Sequence, residues 1–229
     1  MPVVKNVSIP IAVSERLVVA PNYYTLYFDR PAGFNYQSGD WIDLEFSPTV
    51  QGGRTYSLSS SPTEPRLSIT FRAGMSQLKR RLEAMQPGDT ATIVQYGNDY
   101  GFQLKPARAS TLIAGGVGIA PFRSMLKDMI DTNSKADVQL LYLNTSDDFL
   151  FQQEIESWRS IQSRLRVEYI VTKDLSRKKR EKLMTTLLTD KNRQQYIAGP
   201  PGMVENTQSL LLKLGVASRD IKTDVFGGY

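Results

Sequence analysis

The sequence predicts two folds in series: an antiparallel β-barrel or sandwich over residues 1–107, then a doubly wound parallel α/β sheet over residues 108–229. Three observations predict it. Short segments rich in β-branched and aromatic residues recur about every ten residues in the first part. Composition changes at Lys105-Pro106-Ala107-Arg108, which reads as a linker. Beyond it, apolar runs of strand length alternate with stretches of helical periodicity.

In order, residues 7–13 and 17–28 read as strands broken at Pro10 and Pro21. A Gly39-Asp40 turn precedes the alternating stretch from Trp41 to Phe46. A short strand at Thr55, then residues 67–72 and 91–96, complete the set. One helix interrupts it, with Met75, Leu78, Leu82 and Met85 on one face and Lys79, Arg80 and Arg81 turned outward. Gly74 and Ser76 open this helix, and Pro87-Gly88-Asp89 stops it. In the second part, residues 111–114 form a buried strand that feeds the turn Gly115-Gly116-Val117-Gly118 and a helix over 119–130. Further strands are expected at 138–143, 165–171, 196–198 and 221–226, with helices at 149–158 and 204–214.

Hydrophobic residues make up 41% of the chain and charged ones 22%, the balance of a globular protein. No apolar run approaches the roughly 20 residues of a membrane span, and no signal-peptide core is visible, so a cytoplasmic protein without a membrane span is expected. Nothing points to nucleic acid. The absence of cysteine excludes disulfides, Cys-ligated zinc and Cys-ligated iron–sulfur clusters. The absence of histidine removes Ser-His-Asp triads and His-ligated haem. No metal site is expected, and a redox role would need an organic cofactor. A net charge of +5 suits phosphate-bearing ligands or an acidic partner, and equally a solvated basic surface. The run Arg177-Lys178-Lys179-Arg180-Glu181-Lys182 reads as a solvated helix face.

Four stretches carry chemistry. In Arg54-Thr55-Tyr56-Ser57, Arg and Tyr at i and i+2 of a strand share a face, placing a phosphate-binding fork beside an aromatic plate. Gly74-Met75-Ser76 opens a helix, where backbone N–H groups and the helix dipole favour an anion. Gly115 to Gly118 joins strand to helix in the context of a pyrophosphate turn, with Pro121 placed in the helix's first turn. Gly199-Pro200-Pro201-Gly202 ends another strand at the same sheet edge.

Arg54-Thr55-Tyr56-Ser57 also resembles the RxYS flavin motif of the ferredoxin–NADP reductase superfamily, and its companions follow in the family's order. Ser38-Gly39-Asp40 is similar to the PGQ turn, Gly74-Met75-Ser76 to the phosphate turn and Pro87-Gly88-Asp89 to the PGD turn. Gly97 and Gly101-Phe102 are similar to G-x-x-G-x-F, residues 115–122 to the nicotinamide-binding G-T-G-I-A-P-F, and residues 198–203 to C-G-P-P-x-M. Ala198 stands where many members have Cys, and Gly116 or Val117 replaces the usual Thr.

The resemblance implies a Greek-key antiparallel barrel that binds FAD, followed by a nicotinamide-binding α/β domain, together passing hydride from NADH or NADPH to flavin. Electrons would then go to a separate ferredoxin-like, flavodoxin-like or oxygenase-component acceptor. Arg54 would hold the flavin diphosphate, Tyr56 would pack on the ring, and Ser57 would bond near N5, with Thr55 beside them. Ile69, Thr70, Phe71 and Arg72 would line the ring and phosphate path, with Gly74, Met75 and Ser76 donating to the pyrophosphate. Gly116, Val117, Gly118 and Pro121 would meet the nicotinamide nucleotide, as would Gly199, Pro200, Pro201, Gly202 and Met203. Asp224 would be a carboxylate near Ser57, with Phe226 or Tyr229 covering the flavin. Residues 144–148 carry two Asp and no Lys or Arg, which disfavours a 2′-phosphate and favours NADH, whereas Lys173 and Arg177 of the next loop, folded over the same pocket, would favour NADPH. A scaffold that keeps the fold without turnover is the alternative reading.

Overall fold

The computed structural model describes residues 3–47, 55–98 and 101–227, so Arg54 and Tyr229 lie outside the described residues. By contacts the chain divides into two compact units, one of residues 1–103, 120–131 and 227–229, the other of 104–119 and 132–226.

The first unit holds six antiparallel strands: β1 (Val3–Ala20), β2 (Tyr23–Asp29), β3 (Trp41–Glu45), β4 (Thr55–Ser57), β5 (Arg66–Arg72) and β6 (Thr90–Asn98). Their order is β4-β3-β6-β1-β2-β5. An antiparallel bridge from Leu58, just past β4, to Ile69 of β5 joins the two ends into a nearly closed barrel. β1 is a single strand of 18 residues. Residues 3–12 pair with β6 and residues 13–20 pair with β2. At the change of partner, Val13 N donates to Asp89 O and Gly88 N donates to Val13 O, both at 2.8 Å.

Two expectations are corrected here. The strand runs through Pro10, which pairs with Thr92, and breaks only at Pro21-Asn22, where Asn22 takes φ +64°. A proline interrupts a sheet only where its missing N–H is needed as a donor. The helix α1 (Gln77–Ala84) starts after Ser76, whose Oγ accepts from Lys79 N at 3.2 Å. Met75 therefore precedes the helix and is 85% exposed, while Leu78, Leu82 and Met85 join the barrel core.

The second unit is an all-parallel sheet of β7 (Ser110–Gly115), β8 (Val138–Asn144), β9 (Leu165–Val171), β10 (Gln194–Gly199) and β11 (Ile221–Val225). The order β11-β10-β7-β8-β9 reverses between β7 and β10, as in a doubly wound fold. Every residue of β7 and β10 is buried, the mark of central strands covered on both faces. Its helices are α3 (Gln152–Ile161), α4 (Arg177–Leu187) and α5 (Pro201–Lys213), whereas α2 (Ile119–Asp131) counts, from residue 120 on, with the first unit. α3 begins three residues later than the apolar pattern predicts, because Phe151 adopts φ +60° and holds off the first turn. On α4 the basic run is a solvated face, with Arg177, Lys178, Lys179 and Lys182 exposed and Met184 buried. Buried Arg193 ties β10 to β7 by donating to Ser110 O at 2.6 Å and to Thr111 Oγ1 at 3.1 Å, and it pairs with the Asp137 carboxylate at 3.0 Å. Among the described residues no helix is long and apolar enough to cross a membrane.

Candidate functional site

In the first unit β4 is short and sits at the end of the sheet, with Trp41, Ile42 and Asp43 opposite Ser57, Tyr56 and Thr55. Its burial runs from exposed Thr55 through half-buried Tyr56 to buried Ser57. The Thr55 hydroxyl donates to the Asp43 carboxylate. Tyr56 meets Phe71 edge-on at 6.3 Å between centroids, and Tyr24 stacks on the same ring at 5.8 Å. Burial pushes the Tyr56 hydroxyl up from its ordinary value, so it stays protonated. Of the β5 residues the sequence nominates, Ile69 and Phe71 lie in the barrel core and Thr70 is buried, bonded to Thr25 Oγ1 at 2.9 Å. Arg72 alone is exposed.

Lys79, expected to turn outward, does not. Its side chain folds back over Gly74, where an added Cβ would lie 2.5 Å from Lys79 Cδ. Burial lowers the Lys79 pKa, and the charge of nearby Arg72 lowers it further. Two cations thus crowd the N-terminus of α1, beside Gly74, Met75 and Ser76. Mutual repulsion of this kind is relieved by an anion, and the exposed amides of a helix start add donors for it. The set fits a diphosphate such as that of FAD. Lys79 could have been found from the sequence only by asking where a long side chain at the third helical position reaches.

Behind β4 runs a polar loop of buried serines. Ser59 Oγ meets Ser68 Oγ at 2.9 Å and accepts from Thr70 Oγ1 at 3.1 Å. Helix α2 grips this loop. Arg123, 5% exposed, donates to Ser59 O at 2.9 Å and forms a two-pronged pair with the Glu64 carboxylate at 2.6 and 3.0 Å. Ser124 Oγ donates to Ser60 O at 2.6 Å. Sequence reasoning passed over both residues, since neither the charge nor the spacing marks a buried clamp.

In the second unit the two glycine turns flank the point where strand order reverses. Gly116 opens a 3₁₀ turn, Gly116–Gly118, with φ +54°. At Gly118 a Cβ would overlap the Ala198 carbonyl and come within 2.7 Å of Gly199 N, so strand β10 itself demands glycine there. A Cβ on Gly115 would lie 3.0 Å from the Met203 methyl and 3.2 Å from Pro200. The turn after β7 and the turn after β10 are therefore packed on each other. Val117 and Pro121 are buried, and Pro201 and Gly202 are exposed at the start of α5. Bare backbone at the carboxyl ends of two central strands, each leading into a helix, fits a dinucleotide's phosphates. Beside it, Asp224 lies opposite Ala198 on β11, and half-buried Phe226 donates its N–H to Gly199 O at 2.9 Å.

The first unit is thus a nearly closed antiparallel barrel, and the second a doubly wound parallel sheet with paired glycine turns at its switch point. Residues 112–209 match the oxidoreductase NAD-binding domain family. The 2-halobenzoate 1,2-dioxygenase electron transfer component of Burkholderia cepacia is 27% identical over 197 residues, covering 82% of this chain and 58% of that protein. Dual oxidase 1 of Sus scrofa is 30% identical over 146 residues, covering 57% of this chain and 9% of that protein. The chain thus spans only part of the length of these curated relatives. In fold it is similar to the flavohemoglobin-like FAD/NAD-binding domain of a Vibrio cholerae nitric oxide dioxygenase, with TM-score 0.81, 22% identity and coverage of 98% and 100%. Ferredoxin-NADP+ reductase from Plasmodium falciparum follows the same path, with TM-score 0.75, 17% identity and coverage of 96% of each chain. The family match thus lies within residues 112–209, and the likeness to these solved structures extends over the whole chain as a likeness of fold.

Proposed function

We propose that the chain is an NAD(P)H-dependent flavoprotein reductase that binds FAD on its first unit and NADH on its second, and hands electrons to a separate protein acceptor. The observation that carries this is the pair of interlocked glycine turns at the switch point between β7 and β10. They lie within a segment matching an oxidoreductase NAD-binding family. Bound FAD supplies the two-electron chemistry that a chain without Cys or His cannot supply from its side chains.

The chain's own residues bind and orient. Arg54, Arg72 and Lys79 balance diphosphate charge, with the amides of Gly74, Met75 and Ser76 as donors. Tyr56 offers a protonated ring, Ser57 a hydroxyl, and Asp224 a carboxylate, with Phe226 or Tyr229 as the covering ring. Gly116, Val117 and Gly118, with residues 199–203, admit nucleotide phosphates to backbone N–H groups. Exposed Asp147 and Asp148, after β8, disfavour a 2′-phosphate and so favour NADH. Relatives named as a dioxygenase electron transfer component and a monooxygenase reductase subunit support an acceptor of the oxygenase kind, alongside the ferredoxin-like and flavodoxin-like alternatives.

Anaerobic titration tests it. The purified protein, supplied with FAD, should be yellow and should bleach with NADH faster than with NADPH. A protein that holds no flavin, or a yellow one that neither nucleotide bleaches, would sink the reading.

A further inference from the structure

Tyr142 lies on β8, in register with Ala114 of β7 and Tyr169 of β9, and its side chain is fully buried. Its hydroxyl makes two bonds. It donates to Gly116 O at 3.1 Å and accepts from Leu150 N at 3.2 Å. The first partner belongs to the glycine turn after β7. The second ends the loop that carries Asp147 and Asp148. That loop is held at its other end by Asn144, whose carbonyl accepts from Thr172 N at 2.7 Å and Thr172 Oγ1 at 3.0 Å. Within it, Phe149 N donates to Asp147 O at 2.9 Å and Asn144 Nδ2 donates to Asp148 O at 2.9 Å. The residue after Leu150, Phe151, carries the left-handed φ of +60°, a strain that persists only where neighbours fix it.

We propose that Tyr142 is a positioning residue that ties the nucleotide's phosphate turn to the loop that chooses between NADH and NADPH; this rests on the nucleotide reading above. Gly116 has no Cβ to restrict its peptide, so the orientation of its carbonyl is set by its bonds, one from the Ile119 N–H of the turn itself and one from the Tyr142 hydroxyl. The same hydroxyl anchors Leu150, and thereby the height of Asp147 and Asp148. One buried oxygen thus sets both phosphate affinity and the discrimination against a 2′-phosphate. Removing it leaves the buried Leu150 N–H without this partner and takes one bond from the part-buried Gly116 carbonyl, a loss that is costly where water does not replace it.

The test is Tyr142→Phe in the FAD-loaded protein, with Tyr169→Phe as control. The control deletes a hydroxyl from the same aromatic cluster, 6.2 Å from the Tyr142 ring, without touching either loop bond. The flavin is first reduced chemically so that the nucleotides bind without turnover; NADH and NADPH are then titrated calorimetrically under argon, and amide exchange is read at Leu150. Tyr142→Phe should weaken NADH binding roughly tenfold. It should also shrink the preference for NADH over NADPH and lose Leu150 protection, while Tyr169→Phe keeps wild-type values. Unchanged affinities and preference in Tyr142→Phe overturn the proposal. So does an equal loss in both variants, which would make the effect one of cluster packing. A wild-type protein that binds neither nucleotide is a separate result, which overturns the nucleotide reading and the proposal with it.

Discussion

At the barrel edge, Arg72, Lys79 and Ser76 surround Gly74 with charge and a hydroxyl, whereas at the switch point of the parallel sheet Gly116, Gly118 and Gly199 withhold side chains altogether. Both arrangements suit phosphate, by opposite means. The first supplies cations whose mutual repulsion an anion relieves. The second supplies close backbone approach, and its glycines are demanded as much by the packing of the two turns as by any ligand. The difference teaches where each half breaks. Substitution at the barrel edge should cost binding, and substitution at the glycine turns should cost the fold as well.

Gly118→Val is the strongest way to break the comparison. Its side chain would collide with the Ala198 carbonyl, so the prediction is a loss of about 3 kcal/mol or more in stability, not merely a raised KM for NADH. Thermal unfolding checks it, and a wild-type Tm with weakened NADH binding would show that phosphate access alone requires the glycine. Next, Arg123→Ala strips the buried partner of Glu64 and the Ser59 carbonyl, with an expected cost of about 3 kcal/mol. Denaturant titration reads this directly, and Glu64→Gln should recover part of the loss in the double variant.

Lys79→Met sharpens the contrast. It should leave stability nearly unchanged while weakening FAD binding roughly ten- to a hundredfold, with Arg72→Ala of similar size. Flavin retained on gel filtration is the measure. If Lys79→Met holds FAD as the wild type does, the two cations do not form the phosphate site.

A smaller effect concerns acid. The hydrogen bond from Arg193 holds the Asp137 carboxyl below the usual carboxylate range, against the opposing effect of burial. A depressed folded-state pKa gives stability that is present above the unfolded value and lost as pH falls through the folded one. The loss should therefore begin below about pH 4. Asp137→Asn should remove less than about 1 kcal/mol at neutral pH, because the Asp137 side chain is 39% exposed and its pair is screened by water, and should flatten the acid limb of stability. An unaltered acid limb would show that the Arg193 pair does not govern it. The smallest effect is expected from Phe226→Ala, a half-buried ring at the end of β11. It should change the flavin absorbance and the hydride-transfer rate more than Tm, and no spectral change would remove Phe226 as the cover.

The layer architecture was legible because periodicity reports which face is buried. The alternation in Trp41 to Phe46 and the short apolar runs Leu112-Ile113-Ala114 of β7 and Tyr196-Ile197-Ala198 of β10, each ending at a glycine, read as strands. The ends of elements were less so. Met75 fits the apolar stripe of α1 by spacing, but capping by Ser76 places it outside the helix. The strand at Pro10 continues because its partner there asks for no donor. Within the candidate site, glycine turns were visible as composition. Lys79, Arg123 and Tyr142 were not, because their roles depend on where a long or buried side chain ends in space. A sequence lists such residues among ordinary lysines, arginines and core tyrosines.

The divided allegiance of β1 bears on how the chain is made. Its second half pairs with β2, close behind it in sequence, whereas its first half must wait for β6, with Val3 opposite Asn98. A chain emerging from the ribosome can form the β1–β2–β5 half of the sheet as soon as residue 72 is clear. Residues 3–12 then remain an unpaired edge until residue 98 follows. At about 5–20 residues per second that interval is on the order of seconds, long enough for an exposed strand to find a wrong partner. The residues of this waiting edge include Lys5, Asn6 and Pro10, and lysine and proline are the kinds that make an open strand a poor template for another chain.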